Sequence, residues 1–310
     1  MFQKMTHILK VFPNERMKCL KTDISLCSYN KPLTYKDLQV EIDLLINKYP
    51  FIKKTIIGYS VLGKEIVELR IGPGQKCIHY NASFHGNEWI TTIVIMRFLA
   101  QCAKEYDIGD FNSDLSVSIV PMVNPDGVDL VLNGPVDAGK YKEEVIKINE
   151  GSTDFSRWKA NIKGVDLNKQ FPAGWEIEAA RKPSSPHFRD YPGVRPLSEP
   201  ESIAMATFAE NHAPERMHAL HTQGEEIYWG FDGLEPEESE GIAQKYAEKS
   251  GYSAVRYVDN YAGFKDWYIK QFKKPGFTLE LGRGTNPLPL VQLEEIWRKS
   301  SGFFTASLQE

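Results

Sequence analysis

The chain has 310 residues, 25% of them charged and 42% hydrophobic, which is ordinary for a soluble globular protein able to bury a large core. A net charge of -4 with scattered Lys and Arg argues against a nucleic-acid partner. No segment approaches the roughly 20 apolar residues needed to span a bilayer, and the first residues carry no signal-peptide pattern, so a cytoplasmic protein without a membrane partner is expected. The four cysteines (Cys19, Cys27, Cys77, Cys102) form no CxxC pair, which predicts no disulfide framework and fits a reducing compartment.

Residues 1–32 have weak periodicity and read as an N-terminal arm; 33–310 read as one domain. Thr34 caps a helix with Asp37 three residues on, and Leu38, Ile42 and Leu45 share one face until Tyr49-Pro50 stops it. Strands are predicted at 54–60, 65–71 and 77–84, the last apolar enough to be covered on both faces. A buried helix over 88–104 and a strand over 115–123 follow, then a turn signal at Asn124-Pro125-Asp126-Gly127. Residues 133–163 and 172–197 read as long irregular connections, the kind of segment that is usually functional or mobile. Ser198-Glu199-Pro200-Glu201 reads as a capping box for a helix to about 211. The rest alternates: strand 216–222, helix 236–250, strand 253–258, helix 265–272, strand 276–281, helix 289–308. This pattern predicts an α/β/α sandwich around a twisted central sheet, mixed but mostly parallel, with ligands at the strand ends.

The chemistry gathers at such ends. His85 and Glu88 stand three residues apart where an apolar strand meets a helix, and an imidazole and a carboxylate are two ligand types that Zn²⁺ accepts. A catalytic zinc takes three protein ligands plus water, so a third is needed downstream. Of the other histidines, His7, His187 and His212 have no natural partner, and His79 reads as a packed strand residue. His218 and His221 share one strand but point to opposite faces; His221, nearer its end, is the better ligand, against the alternative of a satisfied core histidine. Glu280 closes the apolar strand 276–281, where it is either a base facing a cleft or the partner of Arg283.

Together these pieces resemble the zinc carboxypeptidases of the funnelin type. The motifs run in order: His85-Gly86-Asn87-Glu88-Trp89, Asn124-Pro125-Asp126-Gly127, Gly164-Val165-Asp166-Leu167-Asn168, His221, Gly263-Phe264-Lys265-Asp266-Trp267 and Thr278-Leu279-Glu280-Leu281. Within that family the chain is most similar to the bacterial γ-D-glutamyl-L-diamino acid endopeptidases. Trp158-Lys159-Ala160-Asn161, the run Asn168 to Trp175, Tyr261 to Trp267, and Glu280-Leu281-Gly282-Arg283-Gly284 carry that likeness. The resemblance implies one zinc ion per chain on His85, Glu88 and His221, Glu280 as base, and a small peptidoglycan-derived peptide (a muropeptide) as substrate. It implies Lys159 as the group that stabilises the developing oxyanion, with Arg157 as competitor. Asn168, Lys169, Tyr261, Lys265 and Arg283 are the implied substrate-binding residues, Tyr257 competing with Tyr261. The digestive enzymes have arginine where Lys159 and Lys169 stand, so a planar fork is replaced by a point charge. Lys265, at the base of the family's side-chain pocket, is expected to favour an acidic side chain. Two other readings are a zinc carboxypeptidase or amidohydrolase releasing acidic residues, and a non-catalytic binding protein on the same fold.

Overall fold

A computed structural model describes residues 29–309. The expected arm, with His7, Cys19 and Cys27, therefore lies almost wholly outside the described residues. Cys77 and Cys102 are buried free thiols, and among the described residues no helix is long and apolar enough to cross a membrane.

Eight strands form one sheet: β1 (Lys53–Tyr59), β2 (Glu65–Ile71), β3 (Lys76–Ala82), β4 (Leu115–Val120), β5 (Arg216–His221), β6 (Glu226–Tyr228), β7 (Ser253–Val255) and β8 (Gly276–Glu280). Their spatial order is β1-β2-β4-β3-β5-β8-β6-β7. The central strands β4, β3, β5 and β8 pair in parallel, while β1, β2 and β6 join by antiparallel ladders. Parallel neighbours end on one edge of the sheet, so residues following β3, β5 and β8 are brought together there.

Nine helices accompany the sheet among the described residues: α1 (Tyr35–Lys48), α2 (Ile90–Asp107), α3 (Pro125–Asn133), α4 (Lys142–Ile148), α5 (Trp175–Arg181), α6 (Pro200–His212), α7 (Glu238–Ser250), α8 (Phe264–Phe272) and α9 (Leu293–Ser307). α1 forms as its sequence dictates. Thr34 accepts from the Asp37 amide at 3.1 Å while Asp37 reaches back to the Thr34 amide at 3.2 Å. Leu38, Ile42 and Leu45 are buried, each contributing about 1.5–3 kcal/mol by leaving water. One face of the sheet packs on α2, α7 and α9 through a core that includes Ile78, Tyr80, Leu220 and Phe277. The opposite face packs on α6 and α8 through Met217, Ala219, Met205 and Trp267. The predicted three-layer α/β architecture is what forms.

Several local expectations are corrected. Asn124 to Gly127 starts α3 and is not a free turn: the Asn124 side chain caps it, accepting from the Gly127 amide at 2.9 Å, with Pro125 in the first turn. The stretches 133–163 and 172–197 are not wholly irregular, since they contain α4 and α5. The Ser198 capping box does not form. Gln170 Oε1 takes both the Ser198 amide (2.8 Å) and its hydroxyl (3.1 Å), and α6 begins after Glu199 with no side-chain cap. β6 was not anticipated, and β7 is shorter than the predicted 253–258.

Candidate metal centre and active site

The turn from β3 into the His85–Glu88 segment is built from unusual backbone. Ser83 adopts a left-handed φ of 51°, a conformation a non-glycine residue keeps only where its surroundings over-determine it. Here Thr91 Oγ1 accepts from the Ser83 amide at 3.0 Å and the Ser83 hydroxyl bonds Thr92 Oγ1 at 2.8 Å. Gly86 then passes so close to its neighbours that a Cβ would sit 2.6 Å from Gly127 O and 3.1 Å from Trp158 O. Its amide donates to Lys159 O at 3.1 Å. Asn124 Nδ2 bridges Phe84 O (3.2 Å) and Ala160 O (3.0 Å). The three motifs around His85, Asn124 and Trp158 are thus one packed unit, which explains why they occur together.

His85, Glu88 and His221 converge: their ligand atoms all lie within 4.8 Å of one another and all three residues are buried. His85 Nδ1 is 2.8 Å from Glu88 Oε1, His221 Nδ1 is 2.9 Å from Glu88 Oε2, and the two Nδ1 atoms are 3.3 Å apart. Lone pairs of two imidazoles and a carboxylate aimed at one point repel unless a positive charge lies between them. His85 Nε2 donates to Asp166 Oδ1 at 3.1 Å, which leaves Nδ1 as the free lone pair. Burial works against a charged His85, yet the negative charges of Glu88 and Asp166 outweigh it and push its pKa up to about 9. His221 is shifted down by burial and stays a neutral donor of electrons. Burial would raise the Asp166 and Glu88 carboxyls, but the charges and bonds of His85 and Lys159 hold both well below the usual range. The donor set fits a divalent metal of the zinc type.

Glu280 stands beside this cluster because β8 lies beside β5 in register: His221 pairs with Glu280. Burial, then the Glu88 charge, push the Glu280 carboxyl up to about 8. Lys159 Nζ lies 3.6 Å from Glu88 Oε1, and its backbone is anchored by Trp158, whose buried indole donates to Asn161 O at 3.2 Å. Burial disfavours its charge, but Glu88, Asp166 and Glu280 raise its pKa above the ordinary value. The competing Arg157 is turned out over the Phe188 ring at 5.0 Å.

From Glu280 a narrow cleft lined by Asn168, Tyr228 and Lys265 opens into a pocket of about 440 Å³ whose wall includes Tyr257 and Tyr261; Val258, Asn260, Lys265 and Asp266 line both. Asn168 thus lines the cleft, Lys265 the cleft and the pocket, and Tyr261 the pocket, which Tyr257 shares. The other two candidates are placed differently. Lys169 is buried and lies 3.0 Å from Glu178 Oε2. Arg283 has a side chain 74% exposed, pairs with Glu225 at 2.8 Å and lines neither cavity. Its ion-pair partner is thus Glu225, and no pair between Arg283 and Glu280 is seen among the described residues. Lys265 does reach the pocket floor, but Asp266 Oδ1 at 2.6 Å compensates its charge. His79 is a core residue as expected, on Ser118 at 3.1 Å, and His218, on the face opposite to His221, is stacked on Tyr80 and Phe277.

Three residues escaped the sequence reading: Asp166, Glu178 and Asp266. Asp166 and Asp266 stood inside quoted motifs, so their position was visible and only their partners were not. Glu178 carried no signal.

A family profile described as zinc carboxypeptidase matches residues 38–301. Gamma-D-glutamyl-L-diamino acid endopeptidase 1 of Lysinibacillus sphaericus is 47% identical over 283 residues, spanning 88% of this chain and 72% of that protein. An uncharacterised Bacillus subtilis (strain 168) protein, YqgT, is 50% identical over 285 residues, 87% of this chain and 76% of that one. The crystal structure of carboxypeptidase A from Helicoverpa armigera superposes with a TM-score of 0.71 at 18% identity, covering 96% of this chain and 80% of that chain.

Proposed function

This chain belongs to the zinc carboxypeptidase family, and we propose that it hydrolyses the γ-D-glutamyl–meso-diaminopimelate bond of peptidoglycan-derived peptides. The observation that carries the reaction is the meeting of His85, Glu88 and His221 within 4.8 Å at a strand edge that also presents Glu280. The bond is supported by the 47% identity to an endopeptidase named for γ-D-glutamyl-L-diamino acid substrates.

In this reading His85, Glu88 and His221 would hold one zinc ion, and Asp166 would orient His85. Zinc supplies a Lewis acid and lowers the pKa of the water it binds. Glu280 would take the proton of the attacking water and pass it to the leaving amine; burial raises its pKa, which makes its carboxylate a stronger base than an exposed one. The Lys159 ammonium stabilises the oxyanion that develops on the scissile carbonyl, as a point charge. Asn168, Tyr261 and Lys265 contact the leaving-side residue in the groove.

A preference for simple acidic side chains is weakened by the Lys265–Asp266 pair, because the pocket floor carries no net positive charge. A binding protein without catalysis has no use for Glu280 aligned with His221. The test is zinc content and cleavage of L-Ala-γ-D-Glu-meso-diaminopimelate by wild type and Glu280→Gln. One zinc per chain and a loss of about 10²–10⁴-fold in kcat for the variant are expected. Full activity of Glu280→Gln would refute the mechanism, and no cleavage by wild type would refute the substrate.

A further inference from the structure

Two lysines stand beside the groove, and neither offers it a free charge. Lys265 Nζ is taken by Asp266 Oδ1 at 2.6 Å and Gly230 O at 2.7 Å. Lys169 follows groove-lining Asn168 but turns back to Glu178, a wholly buried carboxylate on α5. Glu178 Oε1 also accepts from Arg181 Nη2 at 2.5 Å and from the Tyr261 amide at 2.9 Å. Burial favours its neutral form, yet Arg181 and Lys169 hold its pKa below the ordinary value, so it is ionised. The same Lys169 ammonium bonds Asn260 Oδ1 and Tyr261 O, on residues that form the groove wall. Glu178 therefore lies directly behind that wall, set against Lys169 and against Arg181, whose own charge is balanced by Asp259 at 2.6 Å while it stacks over the Tyr261 ring at 5.5 Å.

We propose that Glu178 is a specificity-determining residue: by cancelling Lys169 it leaves the groove without an ionic grip on the α-carboxylate of the leaving-side residue. The enzyme then cleaves alike whether that carboxylate is free or joined in a further peptide bond. This rests on the substrate reading above. The donor that remains is neutral. Asn168 Oδ1 is taken by the Phe264 amide at 3.0 Å, while no partner is seen for its Nδ2 among the described residues. An amide N–H serves a carboxylate oxygen and a peptide carbonyl oxygen equally well in geometry, whereas an uncompensated lysine favours only the ionised group.

The experiment measures kcat/KM for L-Ala-γ-D-Glu-meso-diaminopimelate and for the same peptide extended by D-Ala on the diaminopimelate α-carboxyl. Wild type is expected to keep the two values within about threefold, with a ratio insensitive to salt between 50 and 500 mM, since no net charge acts on the carboxylate. Glu178→Gln leaves Lys169 uncompensated and should shift the ratio at least tenfold towards the free carboxylate, through KM. Adding Lys169→Met to that variant should restore the wild-type ratio. An unchanged ratio in Glu178→Gln overturns the proposal, as does a shift that persists in the double variant, which would trace it to a loosened wall. Should Glu178→Gln fail to fold, the salt series on wild type decides: a ratio that collapses with salt reveals an ionic grip and overturns it. A strong wild-type preference for the free carboxylate sinks this proposal alone, while cleavage of neither peptide sinks the substrate reading with it.

Discussion

Asp166→Asn separates the role of the proposed metal ligands from that of the residue behind them. Asp166 is 1% exposed and both its oxygens are used: Oδ1 takes His85 Nε2 at 3.1 Å and the Asn168 amide at 3.0 Å, and Oδ2 takes the Asp190 amide at 3.3 Å. Asparagine offers one oxygen, so its NH₂ must face either His85 Nε2–H or the Asp190 amide, a donor against a donor. It also removes the charge that steadies the imidazole with Nδ1 directed at Glu88 and His221. Losing such a partner typically weakens metal binding 10–100-fold, about 1.4–2.7 kcal/mol. The assay is competition between the metal-free protein and a chromophoric zinc chelator at pH 7, with far-UV circular dichroism and thermal melting to establish that the variant is folded. A folded Asp166→Asn protein whose zinc affinity stays within twofold of wild type would refute the assignment. It would show that the tautomer of His85 is fixed by the ligand geometry alone.

Two further outcomes follow from the packing around the site. Gly86→Ala places a Cβ 2.6 Å from Gly127 O, backbone that cannot swing away; a loss of about 1–3 kcal/mol in stability is expected together with weaker zinc binding, measured by denaturant titration and the same chelator competition, and unchanged values of both would contradict the contact. Glu201, 0% exposed, accepts from the Val61 amide at 3.1 Å and from Asn161 Nδ2 at 3.3 Å; burial, then Asp126 and Glu199, push its carboxyl up to about 8. Because that value exceeds the roughly 4.3 of an unfolded glutamate, the folded chain binds the extra proton, and this contribution to stability is full below pH 4 and lost as pH rises through 8. Glu201→Gln is permanently neutral, so its Tm should gain on wild type as pH rises from 5 to 8.5; parallel melting curves would exclude an unusual Glu201.

The candidate site's edge was legible because strand geometry is local. Alternation alone sends His218 and His221 to opposite faces, and the strand-end rule then selects His221; the structure places His218 among Tyr80 and Phe277 and His221 against Glu88. Glu280 drew notice as one carboxylate ending an apolar strand, which left a base and a partner of Arg283 equally open; the pairing of Arg283 with Glu225 answers the second. Elements defined by non-local partners were not legible. Glu226–Tyr228 is too short and polar to announce itself, and becomes a strand only by pairing with β8 on one side and β7 on the other. Ser198 has the residues of a capping box, but Gln170, 28 positions earlier, competes for its amide and wins. Asn124-Pro125 marks a turn and a helix start equally well, because the same side-chain bond serves both.

The substrate groove was the least legible for a related reason: charge in a sequence is not charge at a site. Lys159, Lys169 and Lys265 look equivalent as departures from the digestive enzymes, yet of the three only Lys159 faces the His85–Glu88–His221 cluster, where Glu88, Asp166 and Glu280 sustain its charge. Lys265 is balanced by the next residue in the chain and Lys169 by one nine positions away on α5, so neither adds a net field to the pocket. An arginine in place of Lys169 would carry five donors in a rigid fork and would not be satisfied by one buried carboxylate in this space. The lysine at that position is therefore more than a weakened clamp. Its single flexible ammonium is what allows Glu178 to hold it out of the groove, so residue type and partner form one device, visible only once the fold has brought α5 against the Asn260–Tyr261 wall.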